Sequence, residues 1–171
     1  MDDKMDEVKV VIEEPDSGDV EAMAALFKED MDALGVETKV ADQLEVARAA
    51  VDGMAGDQKS CLCWVARVGQ GEEEESFVGG VLLANFNWSL KFAGRALWIE
   101  ALYVTPRARR RGIGVMLIDR VLDWSEDNGV RGIDLEAYRG NTPASILYRS
   151  FGFRRLGRER FYYRVEGSGY L

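Results

Sequence analysis

"PRARRRGIGVMLIDR", residues 106–120, is the stretch on which the reading of this chain turns. Four arginines, Arg107, Arg109, Arg110 and Arg111, run into Gly112-Ile113-Gly114, and an apolar stripe at helical spacing begins at once. Just upstream, "RALWIEALYV" (95–104) is β-rich and ends at Thr105-Pro106. Downstream, Ile113, Leu117, Val121 and Trp124 share one face of a helix expected over about 112–128 and closed by Gly129. "GIDLEAY" (132–138) then reads as a strand. The order strand, glycine turn, helix, strand predicts a parallel crossover. At the start of a helix, backbone N–H groups lack intrahelical partners and the macrodipole is positive. Glycines let those groups close around an anion, and arginines beside them add charge-assisted hydrogen bonds. The segment is therefore expected to hold a phosphate group, above all a diphosphate.

The remaining composition removes several kinds of chemistry. With 171 residues, 47 % apolar and 30 % charged, the chain is expected to fold as one domain over 1–171. No apolar run approaches the roughly 18–20 residues needed to cross a bilayer. The opening "MDDKMDEVKV" lacks the basic-then-apolar order of a secretion signal, so a cytoplasmic location is expected. There is no histidine, which excludes Ser–His and Cys–His catalysis and every zinc pattern that contains histidine. Cys61 and Cys63, in "SCLCWVARV", would share one face of a strand and read as small buried residues; no metal site is expected. The net charge of −8 is unevenly spread. Residues 1–100 carry 9 Lys/Arg against 22 Asp/Glu, and residues 101–171 carry 13 against 8. The first part should attract cations and the second anions.

The rest of the layout follows from periodicity. "VKVVIEE" (8–14) reads as a strand. A helix through Val20, Met23, Ala24, Phe27, Met31 and Leu34 follows, with Asp16 or Ser17 as its N-cap. A second helix is expected over about 40–53. "CLCWVARV" and "SFVGGVLLANFNW" form a hairpin around "GEEEES" (71–76). "NTPASILYRSFG" is a short helix with Pro143 in its first turn, and "FYYRV" (161–165) closes the pattern. The fold class is α/β (α+β): a central mixed sheet whose strand–helix–strand crossover carries the phosphate site.

Two common phosphate motifs are absent. Leu117 stands where a dinucleotide fingerprint needs its third glycine, and no Gly-Lys-Ser/Thr exists for a P-loop. Nucleic acid is not an expected partner, because the basic segment is short and the net charge opposes it. "RRRGIG" (109–114) does match the Arg/Gln-x-x-Gly-x-Gly/Ala signature of the GNAT superfamily of N-acetyltransferases. "IEALYV" before it and "NTPASILYRSFGF" after it occur in that family's order and spacing. The chain resembles the family over about residues 75–165, and within it the diamine, polyamine and thialysine acetyltransferase branch.

The resemblance implies transfer of an acetyl group from acetyl-CoA to a primary amine by direct attack. Backbone groups of Leu102, Tyr103 and Val104 would pair with the pantetheine arm as an added strand does. Arg109, Arg110, Arg111, Gly112, Ile113 and Gly114 would hold the diphosphate, with Arg110 and Arg111 at the 3′-phosphate or facing solvent. Asn141, Ala144 and Tyr148 would approach the arm and thioester, and a homodimer is implied.

An amine with a pKa near lysine's, roughly 10.4, must lose a proton before it attacks, and without histidine the base is a carboxylate. Glu100 is the candidate: strand alternation would put it on one face with apolar Trp98 and Leu102, and the family places a glutamate base there. The competing role for Glu100 is a structural ion pair with an arginine. Tyr148 is the candidate acid for the departing thiolate, against a half-buried core tyrosine. An N–H near Leu102–Tyr103, where strand pairing opens, would meet the oxyanion. Glu29, Asp30, Asp32 and Glu37 are acidic candidates for drawing in a cationic acceptor. The alternatives are a peptide N-terminus or lysine, then an aminoglycoside or amino acid, as acceptor. From another class comes an acetyl-CoA sensor without turnover.

Overall fold

Among the described residues, alternating apolar residues pair into five strands: β1 (Val8–Glu13), β2 (Cys61–Gln70), β3 (Phe77–Ser89), β4 (Gly94–Val104) and β5 (Ile133–Leu135). The computed structural model describes residues 8–70 and 76–157, so most of the expected hairpin turn and the expected strand 161–165 lie outside the described residues. These residues fall into two units divided after Glu136.

In the first unit the sheet order is β1-β2-β3-β4-β5. The first four strands pair antiparallel, and β4 pairs with β5 in parallel through α3 (Ile113–Asp127). This is the expected crossover. β5 has three residues where seven were expected, because its ladder with β4 covers only Leu97–Ile99. Two further helices, α1 (Val20–Ala33) and α2 (Val40–Gly53), match their expected spans closely. Asp16 does not cap α1 directly. It caps a 3-10 turn over Ser17–Asp19, in a reciprocal box with Asp19.

The sheet carries apolar side chains on both faces. Met23, Leu26 and Phe27 of α1 and Ala47 and Ala50 of α2 form one core with Cys61, Cys63, Val65, Val81, Leu83, Ala101 and Tyr103. Both cysteines are buried there, as their spacing implied, and burial raises the Cys63 thiol's pKa strongly. On α3, Ile113, Leu117, Ile118 and Val121 are buried too. The Phe86 and Trp124 rings meet at 5.8 Å, which marks the α3 face of β3.

A bulge in β4 changes which face each residue takes. Leu83 pairs with Ala101 and Ala84 with Ile99, so Glu100 is an extra residue without a cross-strand partner. Directly opposed residues share a face. Leu97, opposite Phe86, and Ile99 therefore look toward α3, whereas Ala101 and Tyr103 look toward α1 and α2. Trp98 and Leu102 thus end on opposite faces. The expectation that Glu100 shares a face with both is overturned, because an inserted residue resets the two-residue period.

In the second unit, α4 spans Thr142–Ser150, with Asn141 as N-cap and Pro143 in its first turn. Gly152 has φ +84°, its N–H donates to Arg149 O, and the Phe153 N–H donates to Tyr148 O. This is a Schellman ending, and the apolar contact that accompanies one is present as the Tyr148 and Phe153 rings, 5.9 Å apart.

Candidate active site

Among the described residues, the end of β4 has an edge that β5 does not cover. Leu97 N–H donates to Gly132 O on the β5 side, and Thr105 N–H donates to Gly79 O on the β3 side, each at 3.0 Å. Main-chain direction alternates along a strand. Counting back from Thr105, Tyr103 turns its backbone polar groups to β3, while Leu102 and Val104 turn theirs to the opposite edge. The β5 ladder stops at Ile99↔Leu135, so this edge runs beyond it from Glu100 to Val104. Of the three residues expected to pair with pantetheine, Leu102 and Val104 have the direction for it. Tyr103 does not, because the pleat points its amide into the sheet.

The edge leads into the arginine–glycine loop. A short 3-10 turn, Pro106–Ala108, carries the chain to Arg109. Arg110 has φ +65° and Gly112, the N-cap of α3, has φ +72°. Left-handed residues in such a turn aim successive N–H groups into one concavity. The first helical bond is Met116 N–H to Gly112 O, which leaves the preceding N–H groups outside the helix's own ladder. The backbone here fits a diphosphate.

The four arginines separate into distinct roles. Arg107 lays its guanidinium over Phe77, 3.8 Å from the ring centroid. Arg109 donates from Nε to Val104 O at 3.0 Å, at the end of the open edge. Arg110 is exposed and Arg111 half-buried.

This loop lies close against the sheet at a pair of glycines in β3 that belong to none of the motifs above. A Cβ on Gly79 would stand 2.8 Å from Ala108 Cβ, and one on Gly80 would stand 2.8 Å from Ile113 Cγ2. Ile113 is buried, so its side chain anchors the first turn of α3 while its N–H remains at the helix start. "VGG" inside an apolar strand was the available signal, since strand glycines often mark close backbone approach.

Glu100 is exposed at the bulge, next to the open edge, and lacks the apolar enclosure its expected face would have given. Glu29 is exposed, whereas Asp30 is half-buried and continues the Met23–Phe27 stripe of α1. Burial pushes the Asp30 carboxyl up to about 6. A cavity of about 280 Å³ lies on the α1 side, lined among others by Asp19, Glu29, Arg67, Phe77 and Arg107. Arg67 is committed there to Asp19, with contacts of 3.0 and 3.1 Å, and to Glu13.

The second unit brings Asn141, Ala144 and Tyr148 together on α4. Asn141 Oδ1 accepts from the Ala144 N–H at 3.2 Å, so the asparagine expected near the pantetheine arm caps its own helix. Among the described residues no helix is long and apolar enough to cross a membrane, and no group of three or more metal-ligating side chains is assembled.

Comparison with known proteins shows the family and the fold. The profile of the Acetyltransferase (GNAT) family matches residues 21–153. The thialysine N-epsilon-acetyltransferase of Bos taurus is 30 % identical over 165 residues, covering 93 % of this chain and 94 % of that protein. The N-alpha-acetyltransferase RimI of Mycobacterium tuberculosis is 41 % identical over 70 residues, 41 % of this chain and 42 % of that one. Among solved structures, an aminoglycoside N-acetyltransferase in complex with CoA superposes with a TM-score of 0.72 at 17 % identity, covering 92 % of this chain and 96 % of the other.

Proposed function

We propose, from the premise that this chain belongs to the Acetyltransferase (GNAT) family, that its acceptor is the primary amine of a small cationic molecule. The chain is an N-acetyltransferase and acetyl-CoA is its cosubstrate. The observation that carries the placement of the cosubstrate is the edge of β4 that outruns β5 and ends at the left-handed Arg110 and Gly112. Support for a small acceptor is the end-to-end likeness to a thialysine acetyltransferase. A cationic one is favoured by the acidity of residues 1–100. The family profile runs across the division after Glu136, which supports one acetyltransferase domain over 1–171. By the family resemblance it acts as a homodimer.

In this reading the pantetheine arm pairs with Leu102 and Val104, and the diphosphate lies on Arg109 to Gly114. Glu100, directly or through a water, takes the proton from the acceptor ammonium. The freed nitrogen attacks the thioester carbonyl, and the N–H of Leu102 faces the developing oxyanion. When the C–S bond breaks, Tyr148 gives its phenolic proton to the thiolate, and the proton that the newly acylated nitrogen sheds returns to the phenolate directly or through water. Asp30 is the proposed counter-charge for the acceptor: a carboxylate already partly stripped of water gains from a cation beside it.

The second reading, a peptide N-terminus as acceptor, has the higher identity to an N-alpha-acetyltransferase in its favour, over two-fifths of the chain. Release of CoA thiol from acetyl-CoA, measured against diamines, polyamines, lysine analogues, aminoglycosides and short peptides, separates the two. Turnover confined to small polycations supports the first, and turnover confined to peptides replaces it. Tyr148→Phe keeps the ring against Phe153 and should lose most of the rate while binding CoA normally. Unchanged turnover would remove Tyr148 from the mechanism.

A further inference from the structure

Among the described residues, the two most exposed large apolar side chains lie together at the turn between β3 and β4: Trp88 is 84 % exposed and Leu90 101 %. The turn that carries them is well anchored. The Phe92 N–H donates to Ser89 Oγ and the Ala93 N–H to Leu90 O, each at 3.3 Å. Phe92 turns inward, where a Cβ on Gly132 would strike its ring, and Lys91 pairs with Asp134 of β5. Leu90 is thus held outward by the turn's own bonds.

The backbone beside these side chains is open too. The Phe86 N–H donates to Ser60 O, and Leu97 opposite it donates to Gly132 O, so this pair turns its polar groups away from the β3–β4 ladder. Two residues nearer the turn, Trp88 and Arg95 repeat the arrangement, and Arg95 O accepts from the Arg131 N–H at 2.8 Å. The N–H and C=O of Trp88 therefore point to the β2 side, past Cys61↔Asn85, where the β2 ladder ends. No described residue bonds to either group. Such an edge is a template for a strand of another chain.

The patch is complementary to itself. Trp88 and Arg95 are directly opposed and share a face with Phe86, over whose ring Arg95 lies at 3.9 Å from the centroid. A two-fold axis at this edge would set the side chains of two copies in the order Arg95, Trp88, Trp88, Arg95 across one face. An aromatic pair is then flanked by cations, each within reach of a ring. An anionic bilayer also suits exposed tryptophan and leucine, but the net charge of −8 opposes it. We propose that the β3 edge at Trp88 is where two copies of this chain join, antiparallel, each Trp88 N–H donating to the Trp88 carbonyl of the other, with Leu90 covered at the border. This rests on the reading that the protein is a homodimer and names the surface that makes it.

The test is sedimentation velocity on the full-length protein over a wide range of concentration. Trp88→Lys, which puts a charge at the joint, and Leu90→Ser should each raise the dimer's dissociation constant about tenfold, the scale of losing an interface anchor. Neither side chain is buried within one copy, so far-ultraviolet circular dichroism of both variants should match the parent's. Iodide quenching gives a second readout, because Trp64 is buried and Trp98 and Trp124 are half-buried, which leaves Trp88 as the accessible ring. Quenching of the parent should fall as concentration rises, and that of Trp88→Phe should stay constant. A dimer that persists unweakened in both Trp88→Lys and Leu90→Ser would overturn this surface and leave the homodimer reading standing. A parent that is monomeric at every concentration would overturn both. Protection of Trp88 from iodide only when phosphatidylserine vesicles are added would give the edge a lipid partner and overturn the proposal.

Discussion

Replacing Gly80 with alanine tests whether the strand glycines are what seat the cosubstrate loop. The new Cβ would lie 2.8 Å from Ile113 Cγ2, and 3.4 Å from both Ala66 Cβ and Tyr103 O. Ordinary contact begins near 3.4 Å, so the first turn of α3 must move away by about 0.6 Å or Ile113 must leave its rotamer. Neither neighbour yields easily: Ile113 is 2 % exposed and Ala66 fully buried. Overpacking of this kind costs about 1–3 kcal/mol. For a chain of this size that is a fall in melting temperature of about 2–10 °C.

The functional part of the same prediction is larger than the thermal one. The N–H groups of Ile113 and Gly114 travel with the displaced turn, and a shift of that order in binding groups is expected to raise the dissociation constant for CoA about tenfold. Thermal denaturation and CoA titration are the two assays. Gly157→Ala serves as control, because among the described residues its Cβ meets nothing within 4 Å. Ile113→Leu, which removes the β-branch that the new methyl strikes, should recover part of both losses. A Gly80→Ala protein that melts within 1 °C of the parent and binds CoA equally well would show that the loop is not seated through this contact.

Asp30 carries a pH signature whose sign can be worked out. Its carboxyl is raised from 3.8 to about 6 by burial. Between these values the folded protein binds a proton that the unfolded chain has released, so stability falls as pH rises through this window and then levels. Asp30→Asn should therefore melt with the parent near pH 4 and above it at pH 8; the reverse order would refute the assignment. At the loop, Arg110 sits at φ +65° and Gly112 at φ +72°. Arg110→Gly should stabilise the fold by about 0.5 kcal/mol and Gly112→Ala should destabilise it by about 1 kcal/mol, both read from urea titrations.

Much of this fold was legible because its signals are local. The stripe from Ile113 to Trp124, the closing Gly129 and the alternation of Cys61 and Cys63 each depend on one period within one element. The arginine–glycine loop was legible for the same reason, since a helix start after a strand needs no distant partner to attract an anion. What escaped were effects of pairing. Nothing between Trp98 and Leu102 announces an extra residue, because a bulge is a mismatch between two strands and exists only once β3 has chosen its register. The Gly79–Gly80 contact with Ala108 and Ile113 joins residues about thirty positions apart. The family signature in "NTPASILYRSFGF" had a local content that the chemical reading overlooked. Asn141 caps, Gly152 turns left-handed, and Phe153 folds back on Tyr148, so part of that pattern serves the ends of one helix.

The bulge at Glu100 connects several of these observations. Without it, strict alternation would place Tyr103 on the same face as Leu97 and Ile99, toward α3 and away from Glu29. Arg109 would then lose the ring it now approaches at 5.8 Å. One inserted residue lets the first half of β4 pair with β5 and pack on α3, while the second half turns its side chains to α1. The change occurs where the β5 ladder ends, so the edge beyond β5 and the change of face begin at the same residue. A carboxylate at that position is exposed because the inserted residue belongs to neither face, and exposure suits a proton acceptor that must exchange with water after each turnover. Burial strengthens a carboxylate as a base, so the bulge removes that argument for Glu100 and leaves the other, its place beside the edge beyond β5.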